Sequence, residues 1–472
     1  MRPTTALVRS TLRQGLAAVT MIPHLKRWAR QGLRCLSSPA RPSPWLPETK
    51  DEPPIPRSDK ERHEQLQPLA EFWNMGVDTI LQPPISHAPW LSHEQLVSIL
   101  DLPLPGDAPF DTNAQPILQA LYTAANLTTE KYHGDKVHYR GLLEFSNICR
   151  CDCHYCGIRK SRHQPRFTLS DESIMEAARW SAQKGYGSMM LQSGEVGTPQ
   201  RLKRLCRIIR QIVDDTGMGI SLSVGELPDE YYKKLREAGA KRYLLRIETS
   251  NPTLFASLHP PAQTFARRLD RLRALRRAGF MVGTGVMINL PAQTTADLAN
   301  DLLFFKQEDV DMIGMGPYIW QRETPTGDLW ESMYPELVHA YKRRDDQAAT
   351  EDELLLLDRC GAKQFEMTTR MVALARLLLQ DVNLAATTAL QTVHPTGREV
   401  ALMRGANILM PILTPKEHRA HYQLYEGKVC VDESAKQCRS CLELRVAAAG
   451  KRIAYNDHGD PPHYAHRMQG VS

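Results

Sequence analysis

From residue 140 onward the sequence alternates short, β-rich apolar runs with amphipathic helical patterns, and no other feature constrains the fold as tightly. The expected strands are 140–145, 188–192, 219–224, 242–248, 280–288, 311–315, 382–387 and 406–410. Between them lie helical stretches such as 171–184, opened by Ser170 as an N-cap, and 265–278, where Leu269, Leu272 and Leu275 share one face. Strands alternating with helices build parallel βαβ units, and eight such units close into a (β/α)8 barrel. The fold class expected is therefore α/β, a TIM-type barrel with an N-terminal helical cap and a C-terminal extension. A chain of 472 residues, 42% hydrophobic, has ample apolar material for that core.

The ends read differently. Eight of the 59 Lys and Arg precede Glu48, the first acid, which leaves 51 against 53 Asp and Glu, a net of −2 for the rest. A nearly neutral body gives no case for nucleic-acid binding. An acid-free segment rich in Arg, Ser and Thr has the composition of an organelle transit peptide, placed at 1–48. The stretch Arg34-Cys35-Leu36-Ser37-Ser38 looks like a mitochondrial processing site, so the expected compartment is the matrix of a mitochondrion or hydrogenosome, with a plastid as the alternative. A Pro-rich linker is expected over 49–91, a helical cap over 92–138, the barrel over 139–445 and a tail over 446–472. No apolar run reaches the roughly 20 residues of a membrane span. The charged stretch 321–364 interrupts the alternation and is expected as a partly helical surface insertion.

Seven of the ten cysteines fall in two short groups, and such clustering points to metal rather than to a disulfide framework. Cys149, Cys153 and Cys156 follow the first strand at C-x3-C-x2-C spacing, with Tyr155 just before the last. One loop carrying three thiolates can ligate three irons of a [4Fe–4S] cube and leave the fourth iron open, whereas electron-transfer clusters use four cysteines. A zinc site completed by Cys151 or His154 is the competing reading. Cys430, Cys438 and Cys441 form the second group, over 430–441.

Barrel enzymes place their chemistry at the C-terminal strand ends. Here those ends carry Gln192-Ser193-Gly194-Glu195, Ser221 and Ser223, Gly225-Glu226, Thr387-Thr388 and Met410-Pro411. Arg246 and Glu248 are two apart in the fourth expected strand, so they share a face. As a set these groups define a polar pocket beneath the cysteine loop.

The cysteine triplet with its aromatic residue resembles the signature of the radical S-adenosylmethionine (SAM) superfamily. That resemblance implies a [4Fe–4S] cluster whose open iron is chelated by the methionine moiety of SAM, and reductive release of a 5′-deoxyadenosyl radical. The likeness narrows further. Glu144-Phe145-Ser146-Asn147-x-Cys149, Leu191-Gln192-Ser193-Gly194-Glu195, Arg242-Tyr243-Leu244-Leu245-Arg246-x-Glu248-Thr249-x-Asn251-Pro252 and Gly314-Met315-Gly316-Pro317 resemble the HydE family of [FeFe]-hydrogenase maturases. So do Ala386-Thr387-Thr388-Ala389, Gly405-Ala406-Asn407, Met410-Pro411 and Tyr422-Gln423-Leu424-Tyr425-x-Gly427-Lys428-x-Cys430.

This resemblance implies that Glu248 and Arg268 hold SAM, with Ser223 and Gln192, Ser193, Gly194 and Glu195 nearby and Tyr155 against the adenine. It implies that Gln192, Ser221, Arg246, Thr387, Thr388, Met410, Tyr422 and Tyr425 line the substrate cavity. The implied activity is assembly of the hydrogenase H-cluster on a cysteine-bound iron carbonyl/cyanide complex. The implied partners are HydG-like and HydF-like maturases and an electron donor such as ferredoxin. Cys430, Cys438 and Cys441 match the position of an accessory Fe–S cluster that some members keep.

The sequence departs from the family pattern where Asn289 and Ala292 replace glycines, and where Tyr318–Pro325 and the insertion follow Pro317. Two competing functions remain at this level: a biotin synthase- or methylornithine synthase-like enzyme with an organic substrate, and a non-catalytic Fe–S carrier.

Overall fold

A computed structural model describes residues 52–84, 88–107, 114–431 and 434–470. The expected transit segment lies outside them. Eight parallel strands pair in the order β10-β1-β2-β3-β4-β5-β7-β9. They are β1 (Lys136–Ser146), β2 (Ser188–Ser193), β3 (Gly219–Ser223), β4 (Ala240–Leu244), β5 (Met281–Thr284), β7 (Met312–Ile313), β9 (Asn383–Leu384) and β10 (Ile408–Leu409). A bridge between Ala385 and Ile408 joins β9 to β10 and closes the barrel. Two further strands, β6 (Met287–Ile288) and β8 (Gly316–Pro317), pair with each other beyond β5 and β7. They extend the wall at the C-terminal mouth. All but the first residue of β1 is buried, as expected of a strand packed on both faces.

The fourth strand is shorter than its sequence implied. It ends at Leu244, and Glu248 takes a left-handed backbone with φ of 66°. The chain bulges there so that the Glu248 N–H donates to Gly285 O (3.0 Å) and the Met287 N–H to Glu248 O (3.0 Å). Strands five and six also break in two. A Cβ on Gly285 would sit 2.0 Å from Gly314 O, so these two backbones cross in contact. Asn289 and Ala292, the positions of the missing family glycines, both keep a φ of 65°. Asparagine tolerates that geometry; the alanine carries local strain.

Residues 49–91 are not simply linker. Ser58 and Glu61 form a capping box that opens the helix Asp59–Phe72, which buries Leu66, Leu69 and Ala70. The helix Gln115–His133 packs between that helix and the long helix Glu351–Leu379. The base of the barrel is closed from the other end of the chain. β11 (Arg452–Ile453) pairs with β1, and the loop after it lies across the strand starts. Arg140 of β1 and Asn383 of β9 donate to Gly459 O (3.0 and 2.8 Å). Arg242 of β4 donates to His458 O (2.7 Å) and pairs with Asp460. Two buried guanidinium groups at the strand starts need acceptors, and the expected tail supplies them.

The helix Pro462–Met468 clamps this plug. His463 bridges Asp381 (3.0 Å) and Asp309 (2.7 Å), and His466 reaches Asp381 (2.7 Å). Burial opposes a charge on His463, but the two carboxylates overcome it and raise its pKa to about 9. Its folded pKa exceeds the unfolded value of about 6.5, so this stabilisation is complete below about 6.5 and disappears as pH rises through about 9. His463→Ala is expected to cost about 2 kcal/mol near neutral pH and nothing further above pH 10, measured by denaturant unfolding across pH.

The stretch 321–364 is helical, and its first part is structural rather than decorative. Tyr318, Trp320, Trp330 and Val338 form a small core with Leu254, Leu258, Met287 and Leu290. Gln321, Thr324 and Thr326 are buried, and the Thr326 N–H donates to His154 O (3.1 Å) inside the cysteine loop. No helix among the described residues is long and apolar enough to cross a membrane.

Candidate active site

The C-terminal strand ends converge on one cavity of about 360 Å³. Cys149, Cys153 and Cys156 line it from the loop after β1; Gln192, Ser193, Gly194 and Glu195 from the end of β2; Ser223 from β3. Arg246 and Glu248 reach it from the bulge after β4, Arg268 from the helix Phe265–Arg277, Thr387 and Thr388 from the start of the helix that follows β9, and Met410 from just after β10. Tyr155, Tyr422 and Tyr425 complete the wall. Ser221 is the exception: fully buried, it is not among the lining residues.

The cysteine loop is pinned from several sides. The Glu195 N–H lies 3.4 Å from Cys149 Sγ, and Cys153 Sγ lies 3.4 Å from Gln263 Oε1. Gly194 fits only because it has no side chain: a Cβ would lie 2.4 Å from Ile148 O and 2.7 Å from Cys149 Cβ. Gly157 is equally constrained, its Cβ falling 2.1 Å from Gln423 O. Cys151 donates to Glu195 Oε1 (3.1 Å). Its hydrogen bond to Cys149, then burial and the Glu195 carboxylate, keep it a thiol, and the same hydrogen bond is the main reason the Cys149 pKa is lowered. Burial pushes Cys156 up to about 12 and Cys153 well above the usual thiol range. Iron coordination would remove that cost by holding both as thiolates. Among the described residues no three His, Cys, Asp or Glu side chains are grouped about a single metal ion. A cubane instead takes each thiolate on a separate iron, and the donor set fits it.

Glu248 is held by both neighbours. Arg246 Nε donates to its Oε2 (3.0 Å) and the Tyr155 hydroxyl to its Oε1 (3.1 Å). Arg246 and Glu248 thus do meet in the cavity, although through a bulge rather than a strand face. Arg268 is buried and committed to Glu226 (2.6 Å), with a second bond to Arg246 O. A free carboxylate ligand would therefore meet an arginine already paired. Among the described residues Thr387 Oγ1 is buried in the cavity wall without a hydrogen-bond partner, whereas Arg246 Nη2 lies 2.9 Å from Glu248 Oε2. Gln192 Nε2 lies 3.4 Å from the Tyr422 hydroxyl.

Glu144, Gln263 and Lys428 are polar wall residues with no role expected from the sequence. Lys428 pairs with Glu144 (2.5 Å) and donates to Tyr422 O (2.9 Å), both charges being almost fully buried. Both lie within motifs quoted above, but nothing local marks them as partners. Gln263 sits in a loop without pattern. Cys430, Cys438 and Cys441 lie apart from the cavity. Arg398 approaches Cys430 Sγ (3.7 Å), Arg445 approaches Cys441 Sγ (3.3 Å), and Cys438 is buried.

A closed parallel barrel with a three-cysteine loop at its C-terminal mouth defines a radical SAM enzyme, and residues 143–305 match the Radical SAM superfamily. The [FeFe] hydrogenase maturase subunit HydE of Thermotoga maritima is 40% identical over 335 residues, covering 71% of this chain and 86% of that protein. The chain belongs to the HydE family. Two solved structures share the fold: methylornithine synthase (PylB), with a TM-score of 0.61, 20% identity and coverage of 84% and 99% of the two chains, and the maturase HydG, with 0.61, 15%, 88% and 84%.

Proposed function

We propose that this chain uses a SAM-derived radical to act on a cysteine-bound iron carbonyl/cyanide complex during assembly of the [FeFe]-hydrogenase H-cluster. Kinship with the Thermotoga maritima maturase supports this reading. The observation that carries it is one cavity where three cysteines, the Arg246–Glu248 pair and the unpartnered Thr387 hydroxyl face the same space. A bound [4Fe–4S] cluster with an open iron supplies the electron that splits the SAM sulfonium. Cys149, Cys153 and Cys156 would hold it.

The remaining work belongs to the wall. Glu248, oriented by Tyr155 and Arg246, would accept hydrogen bonds from SAM, while Arg268 braces that segment through Arg246 O. The hydroxyls of Thr387, Thr388, Tyr422 and Tyr425, beside the Arg246–Glu248 pair, suit a compact, polar substrate better than an aliphatic chain. The walls exclude water from a radical that would otherwise be quenched. We further propose HydG-like and HydF-like partners, an electron donor such as ferredoxin, an accessory cluster at Cys430, Cys438 and Cys441, and delivery to an organelle matrix by segment 1–48.

Anaerobic reconstitution with iron and sulfide, dithionite reduction and EPR with and without SAM test the core of this. A [4Fe–4S]+ signal that changes with SAM, together with 5′-deoxyadenosine release, is expected; zinc uptake alone would overturn it. Glu248→Ala is expected to weaken SAM affinity about 10- to 100-fold while leaving iron content unchanged. Unaltered affinity would remove Glu248 from the SAM site.

A further inference from the structure

The cysteine loop has an outer side as well as the one that faces the cavity. Ile148, immediately before Cys149, is 41% exposed. Arg150 and Lys160 are exposed on the same loop system, tied to it only through their backbones: the Arg150 N–H donates to Glu195 O (2.9 Å) and the Lys160 N–H to Cys151 O (2.8 Å). Neither side chain has a partner among the described residues.

The surrounding charges do not offset them. Asp152 is taken by Arg159 (2.7 Å), and Glu323 by Arg162 (3.5 Å). Arg166 is satisfied by four backbone carbonyls and meets no carboxylate. The cluster loop therefore shows solvent a small apolar spot set among uncompensated cations.

We infer that this face docks a small acidic one-electron carrier protein, with Ile148 as the apolar contact and Arg150 and Lys160 as the steering charges. The inference rests on the cluster reading above, since a cluster consumed as a reductant must be refilled from outside. In the exchange the carrier is oxidised by one electron and the cluster-bearing chain is reduced by one, with no atom or proton transferred. Arg150 is adjacent to Cys149 in the chain and is not among the residues lining the cavity, so a carrier seated there lies close to the cluster ligands. Opposed charges raise the encounter rate and make it sensitive to salt.

The test uses the cluster-loaded full chain and a reduced acidic bacterial-type ferredoxin as probe. Stopped-flow bleaching of the cluster's visible absorption gives the second-order rate constant of reduction. For the unaltered chain this rate is expected to fall with rising ionic strength. The double variant Arg150→Glu, Lys160→Glu is expected to lower it about tenfold or more at low salt and to flatten the salt dependence. Its dithionite-driven 5′-deoxyadenosine release should match that of the unaltered chain. If the double variant loses dithionite-driven product as well, the neutral pair Arg150→Gln, Lys160→Gln decides in the same assay. An unchanged ferredoxin rate in a variant that keeps its dithionite activity would overturn the docking face. Absence of dithionite-driven product in the unaltered chain would instead overturn the cluster reading itself, so the two failures are distinguishable.

Discussion

Cys153→Ala is expected to yield a folded protein that binds little iron and releases 5′-deoxyadenosine at least about a thousandfold more slowly. A cubane held by three cysteines has no protein ligand to spare, because its fourth iron is reserved for SAM. Removing one thiolate leaves a second iron unprotected, and the cluster degrades or becomes open to solvent. The barrel should tolerate the change. Cys153 keeps part of its surface exposed, and its one side-chain hydrogen bond among the described residues is the 3.4 Å approach to Gln263. The loss of stability is expected to be about 1 kcal/mol. Cys151→Ala is the informative companion. Its thiol donates to Glu195 and is not one of the triplet, so this variant should keep its cluster and most of its activity. Iron and sulfide analysis, EPR and product chromatography, with circular dichroism to verify folding, separate the two. A fully loaded, active Cys153→Ala protein would overturn the ligand assignment.

Gly194→Ala is expected to cut product formation about a hundredfold without replacing any proposed cluster ligand. The new Cβ would be driven to 2.4 Å from Ile148 O and 2.7 Å from Cys149 Cβ. Neither obstacle is the mobile end of a side chain, so the backbone itself must move. Overpacking of this kind typically costs about 1–3 kcal/mol. The displacement also threatens the Gly194 N–H to Ser146 O bond (3.0 Å), which ties the β2 loop to the start of the cysteine loop. Misplacing reactive groups by about 1 Å is enough for a loss of about a hundredfold. Gly197→Ala provides the contrast on the same loop. Its Cβ would meet only Leu227 Cδ2, at an ordinary 3.5 Å, and single-turnover rates should stay near those of the unaltered chain.

The barrel and the cysteine triplet were legible because both are local patterns repeated or spaced within a few residues. Where the sequence misled, the deciding contact lay far away. Arg246 and Glu248 read as one strand face because strand periodicity is all the local sequence shows, but Gly285 O captures the Glu248 N–H and turns the backbone left-handed. The pairing of the two side chains survived the wrong reason. The helix Asp59–Phe72 had a visible signal in Ser58 and Glu61, obscured by the proline-rich composition around it and by Pro68 within the helix. The plug at 456–460 had no local signal at all. Its necessity lies in Arg140 and Arg242, whose buried charge is apparent only once the strands are assembled. The same holds for Glu144 and Lys428, buried partners from opposite ends of the barrel sequence.

The pairing of β1 with β10 and β11 also governs when the enzyme can form. During synthesis β1 emerges early with the cysteine triplet directly behind it, yet one of its edges has no partner until residues near 408 and 452 are made. Until then the iron-binding thiols sit beside an open sheet edge and above an unsealed base. Closure is a late event dominated by long-range contacts, which slow folding. A complete iron site is therefore expected only after the barrel has closed. A maturation system that inserts the cluster while the chain is still on the ribosome would meet a half-built site, whereas one acting after release would meet the finished one.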